Sequence, residues 1–413
     1  MKKLILFIGL ATAWGNVAVA QDCTGNRYHQ PIFTNTVAVP NVQYGSNLAQ
    51  DETTPVNLFL DIYYPDGDTD TDRPLVLLAH GGSFIGGNKT DLATQCQALA
   101  KMGYVAATMQ YRLLSISPAV ISNPGLEFQK EVVRAVHDMR AAIRFFRKSV
   151  AEDGNPYGIN PDIIIVGGFS AGAILANHTT YFDAESKIPT DLIAYVAAQG
   201  GMEGNSGNSG FNSVPQMALS WCGAIADTTW IEAGDQPYVG VHNLDDNVVP
   251  NLSGQPNIGV SIPVTLYGDS LMYIRTLNVG VNSDYMSVPG NGHCDFPANS
   301  GEFVTNFMYD QLCVQGLSLA SHPETVLFSI YPNPAAESFY IDIPANEWEW
   351  SVSVVNMLGQ VIATEQITSG ENRIQVRSSA FQPGIYLVKL NATDGKEAKT
   401  KVVIRSNFQI TIY

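Results

Sequence analysis

Two rhythms of apolar and polar positions divide this chain. From about Val37 to Leu317, short apolar runs alternate with longer stretches in which apolar residues recur every three or four positions. Asn57 to Tyr64, Pro74 to Ala79, Tyr104 to Gln110, Ile163 to Val166 and Asp284 to Val288 read as strands. Leu92 to Met102 reads as a helix ended by Gly103. Glu127 to Val150 reads as a long helix with Val133, Val136, Ala141, Ile143 and Phe146 on one face. Strands alternating with helices predict a mostly parallel sheet covered by helices on both faces. Ligands of such sheets bind at the carboxyl ends of the strands.

After Ser318 the helical period is gone. Phe339 to Ile343, Trp350 to Asn356, Arg373 to Val376, Ile385 to Leu390 and Thr400 to Ile404 alternate as short strands, separated by turns such as Leu358-Gly359 and Asp394-Gly395. This pattern predicts a small antiparallel β-sandwich over residues 319–413, following an α/β domain over residues 21–318. Residues 1–20 read as a signal peptide. Lys2-Lys3 forms a positive start, Leu4 to Ala13 an apolar centre, and Ala18-Val19-Ala20 a small-residue cleavage site. That apolar centre is too short for a stable membrane span.

Chemistry enters at Ile163-Ile164-Ile165-Val166-Gly167-Gly168-Phe169-Ser170-Ala171-Gly172. A buried strand runs into Gly-x-Ser-x-Gly, and the small-residue helix Ala171 to Ala176 follows. This strand-turn-helix context is that of a nucleophile elbow, which makes Ser170 the candidate nucleophile. Gly168 and Gly172 flank it where side chains would collide with the neighbouring strand and helix. A base is offered by Gly290-Asn291-Gly292-His293, a histidine on a glycine-rich loop just after a strand. The other histidines have plainer readings. His80 braces its own loop, His137 and His178 sit in helical patterns as packing or surface residues, and His242 lies at a strand end. No pair has convincing metal-ligand spacing, so neither a metal nor another cofactor is expected.

The strand Pro74 to Ala79 leads into His80-Gly81-Gly82-Ser83-Phe84, and here the chain resembles the α/β-hydrolase carboxylesterases and lipases. Their corresponding loop carries His-Gly-Gly-Gly. The resemblance implies an oxyanion hole made by the amides of Gly82, Ser83 and Ala171. Serine at position 83 departs from the family's usual glycine. Tyr111-Arg112-Leu113 also resembles the end of the family's fourth strand. His242-Asn243-Leu244-Asp245-Asp246-Asn247-Val248-Val249-Pro250 is similar to the loop that supplies the family's acid. Counting from His242 gives Asp246, with Asp245 as the alternative. Ser170, Asp246, His293 then follow the chain order of this fold. Asp138 and Arg140 read as structural anchors.

In the tail, Tyr331-Pro332-Asn333-Pro334-Ala335, Val355 to Gln360, Pro383 to Leu390 and Lys399 to Ile404 occur in order. Together they resemble the C-terminal sorting domain of type IX secretion substrates. That likeness implies outer-membrane secretion machinery as a partner and a secreted or cell-surface-attached product. A carbohydrate-binding sandwich is the competing reading, supported only by Trp348 and Trp350.

Charge and cysteines narrow the partners. The formal charge of −16 argues against nucleic acid or anionic lipid. Cys23, Cys96, Cys222, Cys294 and Cys313 all precede the tail, and export permits disulfides. Cys294 follows His293 directly, so a bridge to Cys222 or Cys313 would pin that loop. Gly200 to Ser213, rich in Gly, Asn and Ser, reads as a mobile flap or a long surface loop. Phe84, Phe169 and Trp221 are candidate substrate-binding residues, with Tyr181 and Phe296 also near the site elements; core packing is the commoner fate of such rings. The expected activity is that of a secreted serine carboxylesterase acting on a soluble or polymeric ester. The alternatives are a peptidase of prolyl-oligopeptidase type, a feruloyl or acetyl-xylan esterase, a polyester-directed esterase, or a non-catalytic adhesion protein on the same scaffold.

Overall fold

The structure, a computed structural model, describes residues 23–314, 329–331, 335–343, 350–356, 361–368, 372–392 and 397–404. The expected signal peptide, the junction at 318–319 and Trp348 lie outside the described residues. Eight strands make the main sheet: β1 (Thr36–Leu48), β2 (Pro55–Pro65), β3 (Arg73–Ala79), β4 (Val105–Met109), β5 (Ile159–Phe169), β6 (Met217–Trp221), β7 (Tyr238–Asn243) and β8 (Ser283–Val288). Their order is β1-β2-β4-β3-β5-β6-β7-β8. Strand β2 pairs antiparallel with β1 and β4, and every pair from β4 to β8 is parallel.

Among the described residues, seven α-helices accompany the sheet: α1 (Ala93–Lys101), α2 (Pro118–Ser122), α3 (Pro124–Ala151), α4 (Ala171–Tyr181), α5 (Ile193–Ala198), α6 (Asp269–Val279) and α7 (Ser300–Tyr309). The strand period of two decides which helix each side chain meets. Leu75 and Leu77 of β3 and Ile164 and Val166 of β5 pack with residues of α3 and α4. Val76, Leu78, Ile163 and Ile165 face the other way, toward residues of α1 and α7. Burial on both faces explains why these runs are apolar at every position. Each such side chain contributes about 1.5–3 kcal/mol relative to exposure. Helix α3 starts three residues before the expected Glu127. The Asn123 side chain accepts the Leu126 N–H at 3.4 Å, and Pro124 supplies a first-turn residue with φ already set.

The glycine-rich stretch 200–213 is held against α3 by arginines one helical turn apart. The Arg140 guanidinium donates to Met202 O, that of Arg144 to Gly207 O at 2.9 Å, and that of Arg147 to Asn212 O at 2.6 Å. Ser206 Oγ donates to Asp138 Oδ1 at 2.6 Å, inside a buried Arg112–Asp138 ion pair. A segment anchored at this many points is a fixed surface loop, so the flap alternative is set aside.

Among the described residues of the tail there are seven further strands: β9 (Ser329–Tyr331), β10 (Ser338–Asp342), β11 (Trp350–Asn356), β12 (Val361–Ile367), β13 (Arg373–Arg377), β14 (Gly384–Ala392) and β15 (Glu397–Ile404). They make two antiparallel sheets, β9-β10-β13 and β12-β11-β14-β15. Phe339, Ile341, Val352, Val354 and Val388 fill the space between them. Trp350 lies in this core at 1% exposure, so it presents no platform to a sugar. Strand β12 escaped the sequence pattern because it is mostly exposed and its Thr364-Glu365-Gln366 run does not alternate.

Candidate active site

The carboxyl ends of β3, β5, β7 and β8 open at one edge of the sheet, and each carries one part of the site. Ser170 follows β5 with φ 54° and ψ −119°, a backbone state that L-residues rarely adopt. The two flanking glycines permit it. A Cβ on Gly168 would come within 2.5 Å of Ala79 O, and one on Gly172 within 2.0 Å of the same oxygen. The Ser170 N–H is anchored on Trp221 O at 2.9 Å, which leaves the hydroxyl standing clear of the sheet.

Ser170 Oγ lies 2.8 Å from His293 Nε2, and His293 Nδ1 lies 2.7 Å from Asp246 Oδ2. The carboxylate can only accept, so Nδ1 carries a proton and Nε2 faces the serine hydroxyl with a lone pair. The Asp246 carboxylate is fully buried, and the His293 side chain keeps 22% exposure. Burial alone would raise the Asp246 pKa. Hydrogen bonds from His242, His293 and the Val248 amide overturn that effect and hold it well below the carboxylate range. Asp245, the alternative acid, is exposed, and its backbone N–H is used on Gly290 O. The structure therefore brings Asp246, and not Asp245, to the histidine.

Two devices fix the His293 loop. Asn243 Nδ2 donates to Asp295 O at 2.9 Å while the Asp295 N–H donates to Asn243 Oδ1 at 3.2 Å. Cys294 is bridged to Cys222, the residue after Trp221; of the two partners left open by the sequence, Cys313 is instead joined to Cys23. Both Cys222 and Cys294 have positive φ, 53° and 56°. Cys96 is free and buried. Cys222, His293 and Cys294 are close enough to hold a metal ion, but both sulfurs are committed to the disulfide.

The loop after β3 turns sharply. Gly82, Ser83 and Phe84 all have positive φ, and Gly82 O accepts the N–H groups of Ile85 and Gly86, both at 3.0 Å. Among the described residues, no acceptor takes the N–H of Gly82, Ser83 or Ala171. His80 braces this loop as expected. Its Nδ1 lies 2.7 Å from Gly81 O, its ring stacks on Tyr111, and the Tyr111 hydroxyl donates to His80 O at 2.8 Å.

A cavity of about 340 Å³ opens beside Ser170, with Ser83, Phe84 and Ala171 on its wall. Phe169 and Trp221 are not on that wall. They stack on each other, centroids 4.9 Å apart, and belong to the cluster on the opposite sheet face. Strand parity was the available signal, since Phe169 shares its side of β5 with Ile163 and Ile165. Tyr181 is buried and Phe296 packs at the edge of that same opposite cluster. His178, expected as a packing or surface residue, lies on the cavity wall.

One functional neighbour escaped the sequence. Asp269, at the start of α6, accepts from His242, Ser220, Tyr238 and the Gly223 amide. In the sequence it resembles any acidic residue opening a helix, and only the tertiary pairing with β7 singles it out.

Residues 60–205 match the profile of BD-FAE, an α/β-hydrolase esterase family. Residues 329–405 match the secretion system C-terminal sorting domain. The chain is 31% identical over 93 residues to β-agarase A of Zobellia galactanivorans, a match spanning 22% of this chain and 17% of the agarase. It is 29% identical over 140 residues to a non-reducing polyketide synthase of Emericella nidulans, spanning 33% of this chain and 5% of the synthase. The chain thus matches only a small part of the length of either curated relative. Esterase 2 of Thermogutta terrifontis, with propionate bound, superposes with TM-score 0.46 at 21% identity over 68% of this chain and 96% of that one. A truncated carbohydrate esterase from gut microbiota gives 0.47 at 20% identity, over 68% and 97%. Among the described residues, no helix is long and apolar enough to cross a membrane.

Proposed function

We propose that this chain, an α/β-hydrolase of the esterase type with a C-terminal secretion sorting domain, hydrolyses carboxylic esters through an acyl-enzyme on Ser170. The observation that carries this reading is the hydrogen-bonded line from Ser170 Oγ through His293 to Asp246, at 2.8 and 2.7 Å. Oγ attacks the ester carbonyl carbon as His293 Nε2 takes the hydroxyl proton. Asp246 accepts the Nδ1–H and stabilises the imidazolium. The carbonyl oxygen becomes an oxyanion and takes the N–H groups of Gly82, Ser83 and Ala171, which have no other acceptor among the described residues. Collapse of the tetrahedral carbon breaks the bond to the alcohol oxygen, which leaves with the proton from Nε2. A water then gives its proton to Nε2 and its oxygen to the acyl carbon. The carboxylic acid departs and the proton returns to Ser170.

Phe84 forms part of the acyl wall. The sorting domain addresses the chain to the exterior or the cell surface through the outer-membrane secretion machinery, and the substrate is accordingly an ester met outside the cell. Ser170→Ala tests the reading. It should lower kcat on p-nitrophenyl esters by on the order of 10⁵–10⁶ while leaving the circular dichroism spectrum unchanged. A fluorophosphonate should label the parent protein at Ser170. Turnover retained in Ser170→Ala would refute the assignment.

A further inference from the structure

We propose that the acyl side of this site selects medium-chain aliphatic esters, the alkyl chain lying in the cavity between α3 and α4; this rests on the esterase reading above. The cavity has a direction. Ser170 stands at its start, Ala171, Ile174 and His178 follow on successive turns of one face of α4, and Phe182 comes just past the helix end. At 1.5 Å of rise per residue, His178 lies about 12 Å along the helix from Ser170, room for an extended acyl chain of roughly eight to ten carbons. Phe128, Val132 and Val136 of α3, spaced four apart, line the facing wall over about the same length. Ile258 and Ile262 cover the channel from the segment that follows the acid loop.

The chemistry of the wall suits an alkyl group. Its ionisable side chains are Asp191, which is exposed, and His178. The His178 ring donates Nδ1–H to Ile174 O at 2.7 Å, and burial pushes its pKa down to about 4, so it stays uncharged. Beyond it, Phe182 and Trp230 close the far end with their rings 4.9 Å apart. An acetyl group would leave nearly all of this space empty. The phenolic hydroxyl of an aromatic acid would be carried in among the Phe182 and Trp230 rings, and its desolvation is costly wherever no partner meets it. An alkyl chain needs no partner, and each methylene taken from water multiplies kcat/KM about three- to fourfold.

The experiment is a chain-length series of p-nitrophenyl acetate, butyrate, octanoate, decanoate and palmitate, with methyl ferulate alongside, on the full chain and on Ile174→Trp. We expect kcat/KM for octanoate to exceed that for acetate by at least about 30-fold and to exceed that for palmitate. Ile174→Trp should cut the octanoate-to-acetate ratio by more than about tenfold by filling the channel. Should that variant fail to fold, Val132→Trp on the half-buried opposite wall provides the same test. Acetate or methyl ferulate preferred over octanoate, or a ratio unmoved by the blocking variant that folds, overturns the chain-length inference and leaves the esterase reading intact. No turnover on any ester, acetate included, overturns both.

Discussion

The Nδ1–H of His242 donates to Asp269 Oδ2 at 2.9 Å, and its Nε2 points at Val249 O, 3.1 Å away. Both partners are acceptors, so both ring nitrogens carry protons and His242 is an imidazolium. Nε2 also lies 3.3 Å from Asp246 Oδ2, the oxygen bonded to His293. A fully buried cation thus stands between two buried carboxylates, one of which is the proposed catalytic acid. The line from Ser170 does not end at Asp246; it continues through His242 to Asp269, where a serine, a tyrosine and a backbone amide complete the partners.

Replacing Asp269 by Asn should leave His242 without its second counter-charge. Breaking a buried pair from one side costs about 3–5 kcal/mol, readable as a lower urea midpoint. Because Asp246 would also lose its fixed neighbour, kcat should fall about tenfold with KM nearly constant, as for a group acting only in the transition state. A variant with wild-type kcat at saturating ester would show that Asp269 serves folding alone.

Stability should depend on alkaline pH through the same ring. Burial disfavours the His242 cation, yet its bonds to Asp246 and Asp269 push its pKa up to about 9. A base whose folded pKa is raised contributes fully below its unfolded value, near 6.5, and loses that contribution as pH climbs through the folded value. On the order of 3 kcal/mol should therefore disappear between about pH 6.5 and pH 9 and above. Urea titrations at intervals across this range, on the parent and on Asp269→Asn, would measure it. The variant's curve should be the flatter of the two.

The Cys222–Cys294 bridge ties the His293 loop to the strand end that holds the Ser170 amide. Changing both residues to Ser, with Cys23–Cys313 kept, should cost about 2–4 kcal/mol of stability. It should also lower kcat roughly tenfold as His293 samples positions away from Oγ, since small misplacements of a base are expensive. Unaltered kcat in the doubly substituted, folded protein would leave the bridge a purely structural staple.

Asp138→Asn should release the 200–213 loop, because the Arg112 guanidinium and Ser206 Oγ both converge on that carboxylate. The expected loss is about 3–5 kcal/mol. Limited proteolysis should show new cleavage within 200–213, while the ester chain-length preference should stay as in the parent, since none of that loop lines the cavity.

Much of this was legible in the sequence, for physical reasons. Strands β3 and β5 are buried on both faces and so announce themselves as unbroken apolar runs. The elbow needs glycine on both sides of Ser170, and the loops of Gly82 and His293 need residues that tolerate tight turns. What stayed hidden depends on distance in space rather than on local pattern. Asp269 matters because β7 delivers His242 to the start of α6. Phe169 and Trp221 looked like pocket residues by proximity in sequence, yet strand parity turns them to the far face. The cavity itself is the gap between two helices, and neither helix records it alone.

Ile258 and Ile262 roof the channel from a short hairpin that belongs to neither α3 nor α4. Its tip residue Val260 is exposed, so side chains there can change without unpacking either helix. The bore of the channel is thereby adjustable from a surface segment, separately from the residues that break the bond.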